Sequence, residues 1–142
     1  MNTETWQKLD ELFSKYPFMK ADSVDEKEIS NAESRLGFTF DSDYKDFVRK
    51  YGGAIVGAYP IFGLRHAEPM DDYQWSVIDV TKSYKDEEWE GVDDWYIVSA
   101  DHAGNPIGLT KEGSVYRLDH DVGIVEKMAD SFEEYILSCL GA

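Results

Sequence analysis

Three histidines are the first residues whose type suggests chemistry. His66, His102 and His120 each sit near acids, most tightly in Asp101-His102 and Asp119-His120-Asp121. Imidazole and carboxylate together bind divalent metals, so one reading is a metal-dependent hydrolase built on His102, His120 and nearby aspartates. Spacing favours a plainer reading. No histidine pair stands at i, i+4, which would set two ligands on one helix face. All three fall in stretches that read as loops or turns, where Asp and His serve local backbone geometry. Cys139 lies on the apolar face of the last helix and reads as a buried structural thiol. No serine occupies a Gly-x-Ser-x-Gly elbow. Gly52, Gly53, Gly57 and Gly63 lack phosphate-loop spacing or a following lysine. No enzyme activity, metal or cofactor is expected.

Charge offers a different chemistry, that of recognition. Among the 142 residues, 29 are acidic and 14 basic, a net charge of −15. Nucleic-acid binding requires phosphate neutralisation by lysine and arginine. A chain this acidic repels nucleic acid and anionic membranes, and its natural partners are basic protein surfaces or cations. The acids are unevenly spread. Residues 66–101 hold 11 acids against two bases, a net of −9, whereas residues 1–50 hold 11 against eight, a net of −3. The run Asp86-Glu87-Glu88-Trp89-Glu90-Gly91-Val92-Asp93-Asp94-Trp95 is the centre of that field. Asp86, Glu87, Glu88, Glu90, Asp93 and Asp94 are the expected contact charges. Trp89 is the expected aromatic anchor, since Trp95 leads a core strand. Charge would speed encounter, and a buried aromatic would supply affinity. Asp71, Asp72 and Tyr73 are added as loop residues, because a standard interface needs about 800 Å² per partner. The plain alternative is a solvated acidic face that keeps the protein soluble.

These residues must be held by a scaffold, which the hydrophobic pattern outlines. Thr3 to Tyr16 reads as a helix with a stripe of Trp6, Leu9, Phe13 and Tyr16, ended by Pro17. Val24 to Leu36 follows, with Ser23 and Glu26 at capping-box spacing and Gly37 as its stop. Phe38 to Phe40 is an extended link. The next helix starts at Asp41 or Ser42 and carries Tyr44, Phe47, Val48 and Tyr51 on one face, ending at Gly52-Gly53. Ala54 to Tyr59 and Ile61 to Leu64 read as short strands broken at Pro60, and residues 66–73 as a loop. Trp75 to Trp89 fits helix or strand, with helix favoured by Val77, Val80 and Tyr84. Strands follow at Trp95 to Ala100, Ile107 to Thr110, Ser114 to Leu118 and Gly123 to Lys127, joined by tight turns. Ser131 to Leu140 closes the chain as a helix, with Asp130 and Glu133 at capping-box spacing. Tight turns require antiparallel pairing. The expectation is one α+β domain over residues 1–142: N-terminal helices, an antiparallel β-sheet meander with an inserted helix, and a closing C-terminal helix. Its size suffices for a core without staples. The lone cysteine, the absence of a secretory pattern in MNTETWQKLDELF and the lack of a long apolar run predict a cytoplasmic protein.

The motif residues of this scaffold resemble a known group. Ile29, Glu33, Leu36-Gly37, Phe40, Asp43-Tyr44-Lys45, Phe47 and Tyr51-Gly52-Gly53 are similar to the N-terminal signature of the SUKH superfamily, which includes the fungal Smi/Knr cell-wall assembly regulators and many bacterial immunity proteins. Asp101, Gly104, Asn105, Gly113, Val115, Tyr116, Asp119-His120, Ser131-Phe132 and Tyr135-Ile136 continue the resemblance in order, so that it covers roughly residues 24 to 140. Asp41 stands where the family usually has proline; aspartate caps the helix instead of presetting its first φ. The resemblance implies a SUKH-like fold and a binding function without chemistry: an antitoxin whose partner is a cognate toxin protein, often a nuclease, whose basic site would suit an acidic inhibitor. A regulatory protein-interaction domain with no toxin partner is the other role the family implies.

Overall fold

A computed structural model describes residues 1–141 and gives an α+β arrangement. The helices are α1 (Thr3–Lys15), α2 (Glu26–Leu36), α3 (Ser42–Tyr51), α4 (Val77–Asp86) and α5 (Phe132–Cys139). The strands are β1 (Ala54–Val56), β2 (Tyr59–Ile61), β3 (Tyr96–Ala100), β4 (Pro106–Leu109), β5 (Val115–Asp119) and β6 (Ile124–Ala129). β1 and β2 form a two-stranded antiparallel sheet, and β3 to β6 form a four-stranded antiparallel meander in sequence order. Within stretch 75–89 the helix favoured there forms over Val77–Asp86, and Trp75, Ser76 and Glu87 to Trp89 lie outside it. Ser76 accepts from the Asp79 amide at its start, which settles the ambiguity left by its β-branched residues.

Aromatic packing builds the core beneath the sheet. Tyr44 of α3 is fully buried and meets Phe40, Tyr96 and Phe132 at centroid separations of 5.4, 5.5 and 5.4 Å. Its hydroxyl donates to the Phe62 carbonyl at 2.6 Å, so no polar atom is stranded inside. The Tyr96 hydroxyl likewise accepts from the Asp41 amide at 2.8 Å, which ties β3 to the cap of α3. Asp41 caps α3 by accepting from the Asp43 and Tyr44 amides, and Gly37 closes α2.

Several local expectations are corrected. Asp25, not Ser23, caps α2 by accepting from Glu28 N at 2.9 Å, and the helix starts at Glu26; Val24 is instead a buried core residue. Tyr16 leaves the buried stripe of α1, because the helix ends at Lys15 and Pro17 opens a 3-10 turn. The first two strands are not divided at Pro60. They form a hairpin turning at Gly57-Ala58, and Pro60 pairs with Ile55 inside β2, in a small sheet where a missing N–H is tolerated. The α5 cap shifts by one residue: Ser131 accepts from the Glu134 amide, and Glu134 reaches back to the Asp130 amide. Glu133 is drawn away to α1, where it accepts from Asn2 N at 2.8 Å and Thr5 Oγ1 at 2.7 Å. No helix is long and apolar enough to cross a membrane among the described residues.

Candidate functional site

The acidic segment hangs between α4 and β3, and the exit from α4 shapes it. The Glu88 amide donates to the Lys85 carbonyl and the Trp89 amide to the Tyr84 carbonyl, at 3.1 and 3.2 Å. The Trp89 ring meets Tyr84 edge-on at 4.8 Å. These are the two backbone bonds and the apolar contact of a Schellman stop. Its left-handed position, where glycine is preferred, is held by Glu88 at φ 55°, the one non-glycine residue with positive φ among those described. Glu88→Gly is therefore expected to stabilise the fold by about 1 kcal/mol in chemical denaturation.

All six expected contact charges, Asp86, Glu87, Glu88, Glu90, Asp93 and Asp94, are exposed. None lies within ion-pair distance of a cation among the described residues, whereas Asp10, Glu26, Glu28, Asp46 and Glu126 all have basic partners. Glu87 accepts from Trp89 Nε1 at 2.7 Å. Trp89 is half-buried by its role in the helix stop and stands 6.0 Å from His120, so only part of its ring faces outward. Asp71, Asp72 and Tyr73 are exposed too, Tyr73 at 91%. They precede α4 while the acidic segment follows it, so the ten-residue helix, about 15 Å of rise, separates the two groups.

Behind the segment the sheet forms a recess of about 750 Å³, half-open to solvent, lined by Phe38, Gly91, Asp94, Trp95, Tyr116 and Val125 among others. Trp95 and Tyr116 stack at 5.9 Å with an interplanar angle of 22°. Gly108 makes this possible: a β-carbon there would stand 2.8 Å from Trp95 Cβ, so the indole lies on bare backbone. Lys85 Nζ sits 4.3 Å from the Phe38 ring centroid at the same margin. Sequence reasoning placed Tyr116 and Phe38 as ordinary sheet and link residues. Only strand register, with Tyr116 opposite Gly108, signals that they border an opening.

The histidines are scattered. His66 packs against Trp75 near Asp72, and His102 stacks on Tyr59 at 4.7 Å. His120 joins a different network. Its amide donates to Asn105 Oδ1 at 3.0 Å, and Asn105 Nδ2 donates to Asp101 Oδ2 at 2.9 Å. Arg117 reaches both Asp101 and Glu126. Burial pushes the Asp101 carboxyl up, but the bonds from Asn105 and Ala103 and the Arg117 charge outweigh it and hold it below its ordinary value. These residues lock the β3–β4 turn to the β5–β6 turn beside Trp89. No three His, Cys, Asp or Glu side chains among the described residues gather closely enough to hold a metal ion. Cys139 is buried, and burial pushes its thiol up to about 11, the opposite of an activated nucleophile.

The arrangement offers a fixed display of unpaired carboxylates beside an aromatic recess, a surface suited to holding a cationic partner. No curated protein matches the sequence. The SMI1 / KNR4 family (SUKH-1) does match, over residues 23–138, from two residues before the α2 cap to the last turn of α5. That span takes in both the helix pair and the motif residues of the sheet, and the chain belongs to the SMI1 / KNR4 family (SUKH-1).

Proposed function

We propose that this protein is an immunity protein that binds and neutralises a cognate bacterial toxin, a nuclease with a basic active site, in the cytoplasm. It works by occupying that site or its substrate groove, and it performs no chemistry itself. The observation that carries the reading is the acidic segment: six exposed carboxylates without cationic partners, on a helix exit that keeps Glu88 at positive φ. Asp86, Glu87, Glu88, Glu90, Asp93 and Asp94 are the contact charges, and the outward edge of Trp89 joins them. Asp71, Asp72 and Tyr73 contribute only if the partner also spans α4. A family known for binding and a surface complementary to a polyanion-holding site support the same reading.

The test uses the C-terminal domain encoded by the gene immediately upstream as partner. Asp93→Lys/Asp94→Lys is expected to slow association about tenfold at low salt and to flatten its salt dependence, because steering by the summed field is weakened. An unchanged association rate at low salt would overturn the acidic-surface reading. Failure of wild type to bind that domain, with no toxin gene nearby, would favour a regulatory interaction domain.

A further inference from the structure

β6 ends the four-stranded sheet, and no strand among the described residues pairs with its outer edge. An open edge presents unpaired N–H and C=O groups to any extended chain, and folded proteins normally shorten, cover or charge it. This edge is six residues long, and its first five, Ile124 to Met128, are exposed. Ile124, Val125 and Met128, with Val122 in the preceding turn, are among the large apolar side chains left in solvent. We infer that β6 is a docking edge that receives an extended, lysine- or arginine-bearing segment of the basic partner as an added strand. This inference rests on the function proposed above and specifies how the partner is held.

Two observations select that occupant. The first is continuity with the acidic segment. A β-carbon on Gly91 would stand 3.1 Å from Val125 Cγ2, so the segment packs on the strand itself. Val125 also borders the recess that Asp94 flanks, so an added strand would set alternate side chains at its mouth. Around the edge lie Asp121, Glu126 and Asp130; Glu126 is paired with Arg117 and Asp130 with Lys127, so Asp121 is the carboxylate there without a lysine or arginine partner among the described residues. Cationic side chains on the incoming strand would meet Asp121 beside the edge and Asp94 at the recess.

The second observation weighs against a second copy of this chain. Residues directly opposite in an antiparallel pair share a face, so a symmetric β6–β6 pairing must centre on one residue. Centring on Glu126 or Lys127 sets like charges against each other, and centring on Met128 sets Glu126 against Asp130. Centring on Val125 places Ile124 against Glu126. Each copy also carries a net charge of −15, which opposes association. A cationic strand from another protein meets neither obstacle. In such strand addition, main-chain bonds give affinity and alternate side chains give selectivity.

The experiment is an NMR titration of the isotope-labelled full chain with an acetylated, amidated hexapeptide of alternating valine and lysine. The expected result is amide shifts concentrated in β6, cross-strand contacts to the peptide, and binding at least roughly tenfold weaker for the valine–glutamate counterpart. A lysine peptide with a central proline is expected to lose the β6 shifts, because proline cannot donate to the ladder. Shifts confined to residues 86–94, equal binding of the glutamate peptide, or β6 shifts unaffected by proline would each overturn the docking edge. With the upstream toxin domain as partner, Ile124→Lys/Val125→Lys is expected to weaken the complex. If those variants bind normally while Asp93→Lys/Asp94→Lys slows association, the edge inference fails and the immunity reading stands. If neither pair has an effect, both fail.

Discussion

Gly52→Ala is expected to cost about 3 kcal/mol or more in chemical denaturation. Gly52 ends α3 at φ 77° and ψ −30°, outside the left-handed helical well, a conformation that costs an L-residue about 1–3 kcal/mol. The greater part of the loss is steric: a β-carbon there would stand 2.0 Å from the Asp22 carbonyl oxygen, which is backbone and cannot swing away. One of the two chains would have to move, and both are held. The Ala21 amide donates to the Gly53 carbonyl, and the Leu64 and Arg65 amides donate to the Gly52 carbonyl. Gly63 crosses the same point, where its β-carbon would meet Gly52 O at 2.2 Å. Gly37→Ala isolates a positive φ without the crossing, since Gly37 has φ 74° and ψ 24° and nothing within 4 Å of the added carbon. It is expected to lose only about 1 kcal/mol. Equal losses at Gly37 and Gly52 would show that backbone conformation, rather than this crossing, sets the requirement.

Asn105→Ala is expected to destabilise the protein by about 3 kcal/mol, because it strips partners from two turns at once. Asn105 is 5% exposed, donates to Asp101 and accepts from the His120 amide. Without it, the His120 amide loses its partner, and Asp101 keeps Arg117 but loses a neutral donor. The consequence for pH follows from the sign of the Asp101 shift. Its carboxyl is held lower in the folded protein than in the unfolded chain, so the unfolded state binds the proton first as pH falls. Its contribution is complete above the ordinary aspartate value of about 3.9 and is lost as pH drops through the lower folded value. Asn105→Ala should flatten that acid-side loss, measured as unfolding midpoints between neutral pH and about pH 3. A variant as acid-sensitive as wild type would show that the other bonds to Asp101 carry the shift.

Both residues were visible in the sequence for a limited reason. Gly52 was readable as a helix stop from the apolar face of Tyr44, Phe47, Val48 and Tyr51 that it terminates. The demand made on it by Asp22, thirty positions earlier, was not. Asn105 read as a turn residue beside Asp101; its bond to the His120 turn joins segments 15 residues apart. The α5 cap shifted by one residue for a related cause. Glu133 has the right spacing to serve its own helix, but Thr5 and Asn2 claim it from across the fold.

The candidate site divides the same way. Composition and spacing determined the helices, the antiparallel meander and the acidic run, because periodicity, turn chemistry and charge are properties of neighbouring residues. Tertiary packing decided what those residues can reach. It turned Trp89 inward against Tyr84 to close α4. It laid Trp95 on Gly108 to open a recess beside Tyr116, and left β6 as the uncovered end of the sheet. Which groups remain exposed is set by what the rest of the chain packs against, and no local pattern records that.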